Sequence, residues 1–435
     1  MNIVCVVVDG LQAAYLGTYG NTWVGTPHLD ALAAQGFVFD QAFAACPTVA
    51  GFYRGAWLGR SAATVAWDAS SAVPHSEESL PALLSKAGFH TLLVTDEPEL
   101  LSLPGASDFA EQLSVGSEDL PDETAESDET TAMAGTIAAA VDAWQQSPGE
   151  QRGKFLWLHL RGLLGPWDAP YERREQYAAE DDPEPPQLVA PPHRNLATDA
   201  DPDELLGIRQ AYAAQVATLD ALLGSLASLI EADGQPTLLC LLGCRGYSLG
   251  VHRRLGHPAD LSPQLYGETV HVPWLIRFPG ANHAAGRTTA LVEPGDLPAT
   301  LLDACRRLPS AAESLATPEA WLPSLMPVIA GEASETRDRM LLATPGKDAP
   351  LQGIKTPAWY LIERATSAED PAEISTTPWE LYAKPDDRWE INDVSPRLAD
   401  VAERLAALLQ EQRRVLAGEP TELTPLEDDL RNTSR

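Results

Sequence analysis

MNIVCVVVDG, residues 1–10, decides the fold class. Residues 2–8 form a near-continuous apolar, β-branched run, the pattern of a strand buried on both faces of a parallel sheet. The run ends in Asp9-Gly10. Ligands of open α/β sheets collect beyond the carboxyl ends of the strands, so a carboxylate there is placed for metal or substrate chemistry. An Asp before a Gly is equally ordinary turn composition.

Working outward, strand and helix alternate. Residues 26–36 read as a turn, a short amphipathic helix and a Gly stop, followed by a strand at Phe37-Val38-Phe39. Residues 78–87 place Leu80, Leu83 and Leu84 on one helical face, and Gly88 leads into a strand over 91–94. A helix over 132–146 feeds a strand over 155–160. The longest helix spans 205–232 and delivers a second two-sided apolar strand over 237–242. Gly243-Cys244-Arg245-Gly246 follows it, the same topological place as Asp9. A strand over 272–278 and a helix over 296–305 complete the pattern. This alternation predicts an α/β fold with a doubly wound, mostly parallel sheet flanked by helices.

Residues 103–131 are acidic and Ser/Pro-rich, a surface excursion. Residues 161–203 read as a long loop over one face of the sheet, a lid or an insertion. An acidic, Pro-rich zone over 332–350 separates a domain at 1–345 from a small α+β subdomain at 346–435. That subdomain has strands over 358–364 and 379–383 in a short antiparallel sheet, and a closing helix over 398–416.

The 435 residues include 62 acidic and 30 basic ones, a net charge of −32, which argues against nucleic acid or an anionic membrane as partner. The five cysteines (Cys5, Cys46, Cys240, Cys244, Cys305) are an odd number in apolar segments, suited to small core residues in a reducing compartment. The chain enters its first strand at once, with no basic leader and no run of eighteen apolar residues. A cytoplasmic protein is expected.

The strings NIVCVVVDG, TPHLDALAAQGFVFDQAFA, LPALLSKAGFHTLLVT, LYGETVHVPWLIRFPG, DLPATLLDA and WELYAKPDDRWEINDV, in that order, resemble the sulfatase family of the alkaline-phosphatase-like superfamily over almost the whole chain. The resemblance implies that fold. It also implies a divalent cation, usually calcium, held by four oxygen ligands from two strand ends, and a cysteine in C/S-x-P-S-R that is oxidised to formylglycine and attacks sulfur. Basic residues balance the developing anion.

Matched residue by residue, that site is dismantled here. The first acidic pair becomes Asp9-Gly10 and the nucleophile position falls on Val49, which carries no nucleophile. The Pro, Ser and Arg of the motif fall on Gly51, Phe52 and Tyr53. The second ligand pair becomes Cys244-Arg245. The Lys and His after the third strand fall on Asp96 and Pro98, a loop His on Asp168, and a late Lys near Ser262. Only Asp9 matches. Guanidinium stays protonated, so Arg245 brings fixed positive charge to the metal's place, and an ion pair with Asp9 is expected.

Two readings of function result. In the first, the protein is a catalytically inactive sulfatase-family member, with no cofactor, kept for binding or assembly. A small anionic ligand or a protein partner would occupy a cleft lined by Tyr53, Arg54, Asp96, Asp168, His252, His257 and Ser262, with Arg253 and Arg254 adding positive charge. In the second, it hydrolyses sulfate or phosphate esters through a rearranged site. Thr48 or Cys46 then serves as nucleophile, and Asp9, Cys244, His252 and His257 hold zinc in place of calcium. Thr48 also reads as a capping hydroxyl at a helix start, and His159 as a satisfied core histidine. A purely structural role would expose an apolar patch near Trp57, Trp167 and Trp274.

Overall fold

The computed structural model describes residues 1–66, 78–116, 120–147, 152–258, 263–307, 316–345, 350–364, 377–419 and 422–432. The first half of the chain runs β1 (Asn2–Val8), α1 (Pro27–Ala34), β2 (Phe37–Ala42), α2 (Val49–Leu58), α3 (Leu80–Lys86), β3 (Phe89–Thr95), β4 (Glu111–Ser114), α4 (Ala132–Gln146), β5 (Gly153–Leu160) and α5 (Tyr171–Glu175). It continues through β6 (Arg194–Asn195), α6 (Pro202–Ala232), β7 (Thr237–Gly243), β8 (Arg254–Leu255), α7 (Gly267–Val270), β9 (Trp274–Arg277), β10 (Gly286–Val292), α8 (Leu297–Arg306) and α9 (Met326–Ile329). The last elements are β11 (Met340–Ala343), β12 (Gln352–Lys355), β13 (Trp359–Glu363), β14 (Trp379–Ala383), α10 (Ala399–Leu416) and α11 (Asp428–Arg431).

Eight strands form the main sheet in the order β10-β2-β9-β7-β1-β5-β3-β4. β1 lies parallel to β5, with Val7 opposite His159, and to β7, with Cys5 opposite Cys240. β9 runs antiparallel between β7 and β2, so the sheet is mixed but mostly parallel. Every residue of β1 is buried, as a two-sided strand requires. Ile3, Cys5 and Val7 enter a core with Phe52, Trp57, Leu84 and Leu301 from α2, α3 and α8. Val4, Val6 and Val8 enter the opposite core with Ile137, Tyr212 and Leu219 from α4 and α6. The parallel strands β1, β3, β5 and β7 therefore end at one edge, which gathers Asp9, Asp96, Arg161 and Cys244-Arg245.

By length and composition α6 could cross a membrane, but 67% of its apolar window is buried inside the fold. The 103–131 stretch, expected as a surface excursion, contributes the edge strand β4, whose residues are exposed throughout. The 161–203 stretch is fastened down. Buried Arg174 donates to the carbonyls of Pro186, Trp167 and Leu188, and Arg173 pairs with Asp128.

β11 to β14 form a second, antiparallel sheet. Its first strand begins at Met340, inside the acidic zone and ahead of residue 346. α10 covers one face, packing Val401, Leu405 and Leu409 on Ile354, Leu361 and Leu381. The opposite face docks Met340, Leu342 and Tyr360 against Phe43, Leu265 and Val270 of the large unit.

Candidate functional site at the strand ends

β1 delivers Asp9 to the sheet edge, where it is only 2% exposed. The Cys244 amide donates to the Val8 carbonyl at 2.9 Å, holding the end of β7 alongside. Arg245 then reaches Asp9 with a two-pronged grip: Nε lies 3.0 Å from Oδ1 and Nη2 lies 3.0 Å from Oδ2. Burial disfavours the guanidinium charge, but the Asp9 carboxylate outweighs it and holds the arginine above its ordinary pKa. The ion pair expected from the sequence is present.

Gly10 adopts φ +77°, and a Cβ there would stand 2.9 Å from the Leu163 carbonyl carbon and 3.0 Å from the Leu164 nitrogen. The turn Gly162–Leu164 causes this crowding, because the Leu163 amide donates to the Asp9 carbonyl at 2.9 Å. The place of a second carboxylate is thus filled by backbone.

Val49 opens α2 and is buried in the core. Thr48 is the helix cap, its hydroxyl accepting from the Gly51 amide at 3.0 Å. Cys46 is buried, with Sγ 3.5 Å from the Thr48 hydroxyl, and burial pushes its thiol up to about 11. Both substitute nucleophiles are therefore held in structural contacts, with the thiol uncharged at neutral pH.

Tyr53, further along α2, is buried. The Trp157 indole donates to its Oη at 3.0 Å, and Oη lies 2.8 Å from His159 Nδ1. Indole only donates, so the Tyr53 oxygen accepts there, while its contact with Nδ1 is a hydrogen bond in which the His159 tautomer sets the donor. Nε2 is buried with no partner among the described residues. Burial lowers His159 to about 4, against the attraction of Asp9. His159 is thus a core histidine satisfied on one side only, which corrects the expectation. Tyr53 and His159 are 106 residues apart, and no local pattern announces their contact.

Among the described residues, the remaining expected ones each have structural partners. Asp96 accepts from the Arg161 amide at 2.6 Å, and burial pushes it up to about 6. Glu97, beside it, lies 3.6 Å from Arg161. One acid, Asp96, therefore stands at a position matched to a basic residue of the family, and Pro98 at the other. Asp168 is buried and caps α4, accepting from the Ala132 amide at 2.7 Å. His252 stacks on Tyr266, ring centroids 3.5 Å apart, with Nε2 2.9 Å from the Trp389 carbonyl. His257 Nε2 meets the Gly246 carbonyl at 2.9 Å, and burial lowers it to about 4. Arg54 donates to Thr64, and Arg253 to Thr198. Ser262 lies outside the described residues. Trp57, Trp167 and Trp274 are all fully buried, so they form no exposed apolar patch.

Calcium needs several hard oxygen ligands. Here Asp9 has both oxygens engaged by Arg245, Gly10 offers none, and burial pushes the Cys244 thiol well up. These residues do not fit calcium. Zinc fits no better: among the described residues no three His, Cys, Asp or Glu side chains converge as a metal group.

The family model described as Sulfatase matches residues 1–306. The chain belongs to the sulfatase family. A 120-residue stretch is 33% identical to steryl-sulfatase of Mus musculus, covering 25% of this chain and 19% of that protein. Another, of 99 residues, is 31% identical to an arylsulfatase of Clostridium perfringens, covering 21% of this chain and 19% of that one. These matches span about a fifth of the relatives' own length. Among solved structures, BT4656, in complex with its substrate D-glucosamine-2-N,6-O-disulfate, superposes with TM-score 0.71 at 17% identity over 97% of this chain and 99% of that one. The phosphonate monoester hydrolase of Agrobacterium radiobacter gives TM-score 0.69 at 17% identity over 96% and 95%. Likeness at that identity establishes the fold, which is alkaline-phosphatase-like, with a small C-terminal antiparallel sheet.

Proposed function

We propose that this sulfatase-family protein is catalytically inactive and uses the scaffold for binding or assembly. The observation that carries the reading is the two-pronged Asp9–Arg245 pair, which puts a fixed internal cation where the family resemblance places the metal. Val49 at the nucleophile position, the crowded Gly10, and Asp96 and Pro98 at the positions matched to the basic residues support it. Each removes a separate source of rate acceleration: nucleophile, Lewis acid and anion clamp.

All five cysteines are free and buried, which supports a reducing, cytoplasmic setting.

The test is turnover of aryl sulfate and aryl phosphate esters by the purified full chain beside its Asp9→Asn variant. Equal background from both is expected. Turnover that Asp9→Asn abolishes would overturn the reading.

A further inference from the structure

Lys355 ends β12 where the small sheet docks on the large unit, and it is only 3% exposed. Its Nζ lies 4.6 Å from the ring centroid of Phe43 and 5.0 Å from that of Tyr360. Phe43 belongs to the large unit and stacks on His271; Tyr360 belongs to β13 and donates its hydroxyl to the Leu265 carbonyl at 2.5 Å. The amine therefore sits between two aromatic faces contributed by the two units. It makes no hydrogen bond or ion pair among the described residues.

The neighbouring charges offer it no partner. From the segment after β14, Glu390 is already paired with Lys384 and accepts from the Gly267 amide at 2.8 Å. Arg388 on that segment donates to the Tyr19 carbonyl. From the large unit, burial holds His271 neutral, and Asp40 turns its carboxylate to Arg287. Glu380 is engaged by Tyr266, Tyr382 and Arg364. Burial disfavours the Lys355 ammonium first, with Lys384 adding repulsion, and together they lower it to about 7. The two aromatic rings offset part of that cost, but they do not replace a carboxylate.

We propose that Lys355 is a proton-operated latch between the two sheets, docked as the free amine and released as the ammonium. The proposal stands apart from the catalytic reading. When the interface opens, the amine returns to its ordinary pKa of 10.5 and takes up a proton wherever the docked form lacks one. Between pH about 7 and about 10.5, docking therefore tightens by roughly tenfold per pH unit; below about 7 the coupling vanishes and docking is weakest.

The chain has five lysines (Lys86, Lys154, Lys347, Lys355 and Lys384), few enough to follow individually. In the intact chain labelled with [13Cε]lysine, one resonance should titrate near neutrality and disappear in Lys355→Arg. In denaturation of the full chain, the wild type should gain on Lys355→Met by roughly tenfold in the unfolding constant per pH unit between pH 7.5 and 10. Titration of all five resonances above pH 9 would overturn the latch, as would a constant difference between wild type and Lys355→Met. If Lys355→Met does not fold, the wild-type resonances decide alone.

Discussion

Two buried charge clusters flank α2 and solve the same problem differently. At the strand ends, one carboxylate meets one guanidinium, Asp9 with Arg245, and the charges cancel. At the start of α8, two carboxylates share one guanidinium. Asp296 accepts from Arg337 at 2.8 Å, and Glu293 lies 3.8 Å from the same arginine while accepting from the Ser61 hydroxyl and the Ala62 amide. Burial pushes both carboxyls above their ordinary range, with Arg337 opposing. The shared cluster can shed its surplus charge by taking up a proton. In the matched pair the outlet is one-sided: a carboxylate left alone can take up a proton, but a guanidinium left alone cannot lose one. Loss of the carboxylate at the strand ends should therefore cost more than loss of a charge from the shared cluster.

Asp9→Ala should show the largest effect, about 3 to 5 kcal/mol by chemical denaturation, because it strands a buried guanidinium that cannot lose its proton. The loss should be equal with calcium and with chelator, and Arg245→Met in the same chain should recover most of it. A calcium-dependent loss, or none, would break the contrast. Arg337→Met should cost less, about 2 kcal/mol at pH 6, since Glu293 or Asp296 can take up a proton. That cost should grow by pH 8; a flat profile would show that the proton outlet does not exist.

Glu293→Gln sharpens the same point with a smaller effect, about 1 to 2 kcal/mol across the titration. The Glu293 pKa is raised on folding, so its contribution is full below the ordinary glutamate range and is lost as pH rises through the folded value. Wild-type stability should therefore fall relative to Glu293→Gln between pH 5 and 8, read as diverging melting curves; parallel curves would contradict the raised value. The smallest change is Thr48→Ala, expected to cost about 1 kcal/mol through the lost helix cap, as a melting shift of a few degrees. A variant as stable as the wild type would free the Thr48 hydroxyl from its capping role.

What the sequence disclosed follows from where the physics is local. β1, β7 and α4 are written in apolar periodicity, and their bounds match the patterns closely. β4 and β10 lie at the sheet edges and lack that signal: Glu111–Ser114 is exposed along its length and pairs only through backbone. The Asp9–Arg245 pair was legible because a buried guanidinium needs a carboxylate and only one stood at the matching strand end. The crowding of Gly10 by Leu163 and the Tyr53–His159 contact were not legible. Both depend on how β5 and the turn after it lie against β1 and α2, which no neighbouring residues encode.

The central claim is that Arg245 has taken the metal's place beside Asp9. Metal content of the purified full chain by mass spectrometry, after equilibration with calcium and beside Asp9→Asn, tests it most directly. The account predicts far less than one calcium per chain in both proteins. One calcium per chain in the wild type, lost in Asp9→Asn, would contradict it.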